Sequence, residues 1–310
     1  MRPPAPRATS PPPTPSGPSS RRVGSWSRTR RPARSGTGPE STSVARRPVP
    51  RGSGSRPGGG GGGGGGIGGE QIEGRRAVRE LLAAGRRRVR SVWIADGRDD
   101  DRRLDEIERL AATRGVRVRR VDPARLAAEA RTEAPQGVLA RAEPLPAADL
   151  DTLLAAPDAF LIALDGVTDP GNLGAVLRVA GACGATGVVV PRHRAVAVTP
   201  AAAKAAAGAI EHVAIAPVGG IPAALDRAKR AGVWTVGLAA ESDTSLFALP
   251  VADQPVLLVL GAEGAGLSRL ARERCDLLVG IPMPGATDSL NVATAAAVAC
   301  FEVVRRRTVT

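Results

Sequence analysis

The chain has 310 residues, with 43 lysines and arginines against 30 aspartates and glutamates, and its formal net charge is +13. This length can hold two domains, or one domain with tails. No apolar run is long enough to span a membrane, and no apolar signal-peptide core follows the basic start, so we expect no membrane partner.

Most of the positive charge lies in residues 1–66. This segment contains twelve arginines and one acid, Glu40, so it carries +11 and leaves only +2 for the rest of the chain. It is rich in Pro, Ser, Gly and Arg and ends in nine glycines, a composition that predicts disorder because there is little apolar surface to bury. Three roles are open: an arm that attracts RNA, an organelle transit peptide, and a leader included through a misassigned start codon.

The three cysteines, Cys183, Cys275 and Cys300, lie in apolar contexts without CxxC spacing. This pattern predicts reduced core residues in a cytoplasmic protein rather than a disulfide framework. The two histidines, His193 and His212, are not spaced as metal ligands, so we expect no metal site.

Two α/β regions follow the basic segment. Residues 67–142 are predicted to form a small α/β domain, and residues 143–157 a linker. The apolar pattern of the small domain predicts helices over residues 75–84 and 102–114 and near Arg125, and strands over residues 89–95, 116–121 and 137–142.

Residues 158–310 alternate between strand and helix patterns, which is typical of an α/β domain whose parallel sheet is covered on both faces. The predicted strands cover residues 160–164, 187–190, 213–216, 233–238, 256–260 and 277–281. Ligands of such sheets bind beyond the carboxyl ends of the strands. Polar loops follow the strands that end at Leu164, Leu260 and Ile281, so we expect these loops to meet at one edge of the sheet.

The first polar loop precedes an apolar helix. The Pro170-Gly171 turn makes Asn172 the expected start of that helix, where its side chain can act as a cap. Arg178 lies within the helix, and an arginine among apolar residues is costly unless it meets an anion or a substrate.

The other two loops each carry a small number of polar residues. Glu263 is the only charge of residues 261–266, whose glycines let a ligand approach the backbone but are not in the order of a dinucleotide-binding loop. Ser289 and Asn291 are expected to cap an apolar helix over residues 292–304.

Three segments in this order, residues 165–178, 259–266 and 281–293, resemble the SpoU-type RNA ribose 2′-O-methyltransferases of the SPOUT superfamily. The nearest resemblance is to the branch that methylates a guanosine in bacterial 23S ribosomal RNA, and it extends over about residues 70–305. It implies a C-terminal domain with a deep trefoil knot, a homodimer, and S-adenosylmethionine as the cofactor. It also implies that the small domain binds RNA and has a fold like that of a ribosomal protein.

Carried over position by position, the resemblance implies roles for single residues. Arg178 would act on the ribose 2′-hydroxyl, either as a general base or by stabilising the developing alkoxide; the second role needs no deprotonation, which guanidinium groups resist. Four polar residues would shape the catalytic site around it: Asn172, Glu263, Ser289 and Asn291. Four residues would contact the cofactor, mainly through their backbone: Gly261, Ile281, Leu290 and Leu238.

RNA contacts are expected from Lys204, which matches a basic position of the family, and from Arg192 and Arg194, which follow a strand. One departure concerns Pro135-Gln136-Gly137, where the family usually has His-Gln-Gly. A changed RNA contact and a tolerated turn substitution are both open there. The aromatic residues are expected in the core rather than in a stacking platform: Trp93, Trp234, Phe160, Phe247 and Phe301.

Other functions are open as well. Within the same family the substrate would be transfer RNA, or the protein would be a ribosomal RNA methylase that confers antibiotic resistance. A non-catalytic RNA-binding or ribosome-assembly factor is the alternative from another class, and the complete set of polar site residues argues against it. A nicotinamide-dependent oxidoreductase is more distant because the order of the glycines is wrong.

Overall fold

The computed structural model describes residues 66–97, 101–192 and 198–309. All of them belong to one unit, Gly58–Thr310. The predicted disorder of the basic N-terminal segment and the predicted RNA contact of Arg194 concern residues outside these ranges.

The small lobe, residues 66–142, is built on a four-stranded sheet. Its strands are β1 (Gln71–Glu73), β2 (Val89–Ala95), β3 (Val118–Val121) and β4 (Val138–Ala142), in the order β1-β4-β2-β3. Strands β2 and β3 are parallel, and β4 is antiparallel to both of its neighbours. The helices of this lobe are α1 (Arg75–Ala84), α2 (Arg102–Thr113) and α3 (Pro123–Glu129). Helices α1 and α2 share one core with the sheet, and α3 packs Leu126 against Trp93 in a second, smaller core.

The sequence prediction for the small lobe agrees with the structure within two residues at each predicted end, because its apolar periodicity is regular. Strand β1 was not predicted, since three residues are too few to show a period. The predicted linker also contains a helix, α4 (Leu150–Leu154), which is capped by Asp149. Five residues make less than two helical turns, which is too short for an apolar stripe to be visible in the sequence.

The large lobe, residues 158–309, contains a six-stranded parallel sheet. Its strands are β5 (Phe160–Asp165), β6 (Gly187–Pro191), β7 (Ile215–Val218), β8 (Trp234–Leu238), β9 (Val256–Gly261) and β10 (Leu277–Val279). They lie in the order β10-β8-β9-β5-β6-β7, and every pair is parallel. The predicted α/β class with a parallel sheet is therefore confirmed.

Helices cover both faces of this sheet. They are α5 (Pro170–Ala182), α6 (Pro200–Ala205), α7 (Ile221–Arg230), α8 (Arg269–Arg274) and α9 (Val292–Val309). Helices α5, α6 and α9 bury their apolar residues in one core, and α7 and α8 join α4 in the other. Alternate side chains of each buried strand point into opposite cores, which is why the strands read as continuous apolar runs.

A buried ion pair joins the two lobes. Arg87 Nη2 lies 2.5 Å from Glu211 Oε1, and Arg87 Nε donates to Glu211 Oε2 at 3.1 Å. The two side chains are only 3% and 1% exposed. The same guanidinium donates to the carbonyl oxygens of Gly69 and Glu143 at 2.6 and 2.7 Å. The planar guanidinium of Arg87 thus bonds to four oxygens of three residues, and these bonds hold the two lobes in one orientation.

Two predictions about apolar side chains have different outcomes. All three cysteines are free, and burial raises the pKa of the Cys275 thiol to about 12, so it stays protonated near neutral pH. The prediction that the aromatic residues lie in the core is wrong for Phe247 and Phe301, which are 50% and 48% exposed.

Among the described residues, no helix is long and apolar enough to cross a membrane, and no group of three or more His, Cys, Asp or Glu could hold a metal ion.

Candidate functional site

The first loop is held by an aspartate at each of its ends, Asp165 at the end of β5 and Asp169 before α5. Asp165 Oδ2 accepts a hydrogen bond from Ser268 N at 2.7 Å, which ties β5 to the loop that follows β9. Asp169 Oδ1 accepts from Asn172 N at 2.7 Å and is the N-cap of α5. The prediction that Asn172 starts the helix is therefore wrong. Proline suits the first helical position because its φ is already helical and its missing N–H is not needed there, so the helix begins at Pro170.

Asn291 connects all three polar loops. Its Nδ2 donates to Asn172 Oδ1 at 3.0 Å and lies 3.5 Å from Glu263 Oε2. Its Oδ1 accepts from Ala293 N at 2.9 Å, so the same side chain caps α9, as predicted. One carboxamide thus uses its acceptor for the helix and its donor for the other two loops. The predicted cap by Ser289 is wrong, because Ser289 lies in the exposed loop before Asn291 and its side chain makes no hydrogen bond to another described residue.

The glycine loop after β9 is closed by its own backbone. Ala262 N donates to Gly266 O at 3.0 Å, and Gly266 N donates to Ala262 O at 2.8 Å. A Cβ at Gly261 would lie 2.1 Å from the carbonyl carbon of Gly266, so no larger residue fits. The close approach that requires this glycine is therefore made by the loop itself, whereas the sequence had suggested a ligand.

A cavity of about 330 Å³ opens beside these loops, and we call it the edge cavity. It lies beyond the carboxyl ends of β8, β9 and β10, the edge where parallel sheets bind ligands. It brings together six residues singled out in the sequence: Leu238, Gly261, Glu263, Ile281, Ser289 and Leu290.

Sequence reasoning missed several residues that line the edge cavity: Glu241, Arg272, Met283 and Asp288. Glu241 and Arg272 form an ion pair at its rim. A hydrogen bond from its own backbone N–H, together with one from Arg272, holds the pKa of the Glu241 carboxyl below its usual range. These two residues lie 31 positions apart in the chain, so no local pattern reveals their contact.

Arg178 does not line the edge cavity. It follows Asn172 by six residues, so the two side chains leave α5 about 120° apart. Arg178 is exposed, and its side chain makes no hydrogen bond or ion pair within the described residues. The argument from the cost of burying it is therefore wrong, because the side chain stays in water. An exposed guanidinium without a partner remains available to an external anion.

The predicted RNA contacts lie in separate places. Arg192 is exposed at the end of β6, where its N–H donates to Val218 O at 2.6 Å. Lys204 is half-buried on α6 and lines a different cavity, between the two lobes.

Comparison with known proteins places this arrangement in a family. Residues 159–301 match the model of the SpoU rRNA methylase family, and residues 71–148 match a model described as RNA 2′-O ribose methyltransferase substrate binding. Among curated proteins, a 23S rRNA (guanosine-2′-O-)-methyltransferase RlmB of Shewanella oneidensis is 41% identical over 76% of this chain and 97% of its own. The RlmB of a Burkholderia species is 44% identical over 76% of this chain and 96% of its own.

A solved structure is similar over nearly the whole described region. The SpoU methyltransferase AviRb from Streptomyces viridochromogenes, in complex with AdoMet, has a TM-score of 0.65 and 31% identity, and the match covers 77% of this chain and 90% of that one. Three findings agree: relatives above 40% identity are covered almost completely, a family model matches, and the fold is shared. The chain belongs to the SpoU rRNA methylase family.

Proposed function

We propose that this protein transfers a methyl group from S-adenosylmethionine to the ribose 2′-hydroxyl of a guanosine in 23S ribosomal RNA. The observation that carries this proposal is the hydrogen-bonded meeting of Asn172, Glu263 and Asn291 beside the edge cavity. These residues come from three loops that are far apart in the chain. The curated relatives with this activity are about 40% identical over three quarters of the chain.

The edge cavity fits the cofactor. Its volume lies in the range of small-molecule sites, and its wall combines apolar side chains with the glycine loop after β9. Leu238, Ile281, Met283 and Leu290 offer apolar surface to a planar base, and the carboxylates of Glu241 and Asp288 offer acceptors to hydroxyl or ammonium groups. When bound, S-adenosylmethionine supplies an electrophilic methyl group. Gly261, Ile281, Leu290 and Leu238 are the proposed contacts.

The residues of this chain would orient the ribose and stabilise its charge. Asn291 occupies one acceptor of Asn172 and lies near Glu263, which holds both side chains in place and leaves their other polar atoms for the ribose. Ser289 lines the same cavity, next to Leu290 in the chain. Arg178, as a cation without a partner among the described residues, would stabilise the negative charge that develops on the 2′-oxygen as its proton leaves.

The direct test is methyl transfer to unmodified RNA. The full chain is incubated with labelled S-adenosylmethionine and 23S ribosomal RNA that lacks modifications, and the labelled nucleotide is mapped. A 2′-O-methylguanosine in 23S ribosomal RNA is the expected product. Transfer to no RNA at all would favour the non-catalytic RNA-binding factor instead.

We also propose where the domain boundaries lie and that the backbone of the last domain is knotted. The boundaries would be residues 1–66 for a tail, 67–142 for an RNA-binding domain like a ribosomal protein, 143–157 for a linker and 158–310 for a knotted methyltransferase domain in a cytoplasmic enzyme. The tight passage of the chain after β10 supports the knot. A Cβ at Gly280 would lie 3.1 Å from Ser242 O and 3.2 Å from Ala239 O, so this segment runs closely past the loop after β8.

We propose a homodimer that uses the exposed side of α9. Phe301 is 48% exposed there, and Val298, three residues earlier on the same face, is only half-buried. Large exposed apolar side chains mark interaction surfaces when they group together. Arg178 lies outside the edge cavity of its own chain, which also favours a site that a second copy completes.

Replacing Phe301 by aspartate is expected to convert the dimer to monomers, because it would place a charge in an apolar interface. Sedimentation velocity measures the mass. Leu270→Asp is the matched control, since Leu270 is 45% exposed on α8 and lies outside the proposed interface. A monomeric wild type, or a Phe301→Asp variant that stays dimeric, would contradict this interface.

The basic tail is proposed to strengthen RNA binding by releasing counterions. Deleting residues 1–66 should then flatten the dependence of log affinity on log salt by roughly 0.7 for each RNA phosphate that the tail neutralises. A Gly/Ser segment of equal length is the control for chain length. An unchanged slope would favour the transit-peptide or leader interpretation.

A further inference from the structure

A second cavity lies between the two lobes, apart from the edge cavity. Its volume is about 620 Å³, and we call it the inter-lobe cleft. The small lobe contributes the start of α1, the start of α2 and Gln136 in the loop before β4. The large lobe contributes Lys204 on α6 and Ala207 just after it.

The cleft is lined by cations that have no counterion within the described residues. Arg76 on α1, Arg103 on α2 and Lys204 on α6 line it, and none of their side chains forms an ion pair or a hydrogen bond with another described residue. Both arginines are exposed and the lysine is half-buried. Three free positive charges on three different helices therefore face one space.

The acids that line the cleft all have hydrogen-bond or ion-pair partners already. Glu73 is buried and accepts hydrogen bonds from Arg131 N at 2.7 Å and Thr132 N at 3.0 Å. Glu106 Oε1 is paired with Arg79 Nε at 2.8 Å. Glu80 Oε2 lies 3.0 Å from His212 Nε2. Partial burial alone would raise the pKa of the Glu80 carboxyl, but the hydrogen bonds from His212 and Arg79 lower it below its usual range. The electrostatic potential in the cleft is therefore positive, because the cations without counterions outweigh the acids.

Backbone strain is concentrated at the same place. Gln136 and Ala207 are the two non-glycine residues with positive φ in the described ranges, at 60° and 50°, and both line the cleft. Gln136 is held by Arg75, whose N–H donates to Oε1 at 3.0 Å and whose Nε donates to the Gln136 carbonyl at 3.1 Å. Strained backbone that the surrounding structure maintains is often found at functional sites. This gives Gln136 a place in the same cleft as Lys204.

The two lobes that form the cleft are joined by buried and close contacts. The buried pair of Arg87 and Glu211 fixes one lobe against the other. A Cβ at Gly208 would lie 2.3 Å from Glu80 Cγ, so the lobes are in direct contact beside the cleft. A preformed site loses little conformational entropy when a ligand enters it.

We propose that the inter-lobe cleft binds the sugar-phosphate backbone of the substrate RNA, away from the ribose that is methylated. The lining is cationic and contains no aromatic side chain among the described residues, which suits phosphates rather than stacked bases. The free charges come from helices of both lobes, so a ligand that meets all of them must extend along the cleft. This proposal rests on the proposed function, since it takes the bound RNA to be the substrate.

The test removes one cation of the cleft from each lobe. In the full chain, Arg103→Ala combined with Lys204→Ala is compared with Arg109→Ala combined with Arg230→Ala. The control also removes one cation from each lobe, on α2 and on α7; both are exposed, and neither lines the cleft. Affinity for a 23S ribosomal RNA fragment is measured by fluorescence anisotropy over a range of salt, and kcat and KM by methyl transfer.

For the cleft variant we expect the Kd and KM for RNA to rise about tenfold and the salt slope to fall by roughly 1.5, as the removal of two phosphate-binding cations predicts. Its kcat at saturating RNA and its affinity for S-adenosylmethionine should stay at the wild-type level. The control should lose much less affinity. Equal losses in both variants, or an unchanged RNA affinity in the cleft variant, would overturn the proposal.

Two further readouts distinguish an RNA site from a small-anion site and from a failure of the proposed function. If the cleft variant loses binding of inorganic triphosphate while its RNA affinity is unchanged, the cleft is a small-anion site and the proposal is wrong. If the wild-type protein transfers no methyl group to any RNA, the proposed function fails. The anisotropy measurement still tells in that case whether RNA occupies the cleft.

Discussion

Arg178→Ala should lower kcat by roughly 10²-fold or more, the effect of removing a group that stabilises charge in a transition state. Arg178 is exposed and unpaired within the described residues, so its loss leaves no buried group without a partner. The stability of the fold should therefore change by no more than about 0.5 kcal/mol. Single-turnover transfer of labelled methyl to 23S ribosomal RNA measures the rate, and calorimetry measures the affinity for S-adenosylmethionine.

Two variants sharpen the test of Arg178. Arg230→Ala removes an exposed arginine from α7, on the opposite face of the sheet, and should leave kcat unchanged. Arg178→Lys keeps the charge but loses the planar fork, so it should retain part of the activity if stabilisation of charge is the role. Near-normal turnover of Arg178→Ala, with RNA at saturation, is incompatible with a catalytic role.

Arg87→Ala should destabilise the protein by about 3–5 kcal/mol, because it leaves the carboxylate of Glu211 buried without a counterion. It also removes the donors that Gly69 O and Glu143 O use. In a folded region of this size the melting temperature should fall by roughly 10 °C. Urea unfolding monitored by circular dichroism gives the change in free energy, and calorimetry gives the change in Tm.

An exposed pair provides the control for this prediction. Arg227 Nε donates to Asp151 Oδ1 at 2.9 Å, with side chains 34% and 70% exposed, so Arg227→Ala should cost at most about 1 kcal/mol. A double variant, Arg87→Met with Glu211→Leu, removes both charges and should be more stable than Arg87→Ala alone. Equal losses for Arg87→Ala and Arg227→Ala would show that burial of the pair has no energetic consequence.

Much of the large lobe was predictable because its strands are buried on both faces. Such strands are continuous apolar runs, and the polar loops after β5, β9 and β10 interrupt the pattern clearly. The rule that ligands bind beyond the carboxyl ends of parallel strands then predicted that the three loops meet. The hydrogen bonds from Asn291 to Asn172 and towards Glu263 agree with that expectation. The roles of these residues in catalysis stay predictions.

Details at the ends of elements were less predictable. Asn172 and Asp169 are both residue types that suit an N-cap. Because Pro170 occupies the first helical position, the residue before it, Asp169, is the cap. Strand β10 was predicted to reach Ile281 but ends at Val279. The backbone of Gly280 bonds instead to Thr244 and Leu246, in a loop more than thirty residues earlier. Apolar character continues past the end of the strand, so composition alone does not show where pairing stops.

The sequence by itself determined the α/β class, the order of the strands along the chain and the three polar loops, because periodicity and loop chemistry are local properties. Only the tertiary structure decided that Arg178 is exposed, that Arg87 meets Glu211 across 124 positions, and that Arg103 and Lys204 line one cleft. The physical reason is that a charge is stabilised or left free by whichever groups the fold brings near it. Those groups lie far away in the chain, where no local pattern can report them.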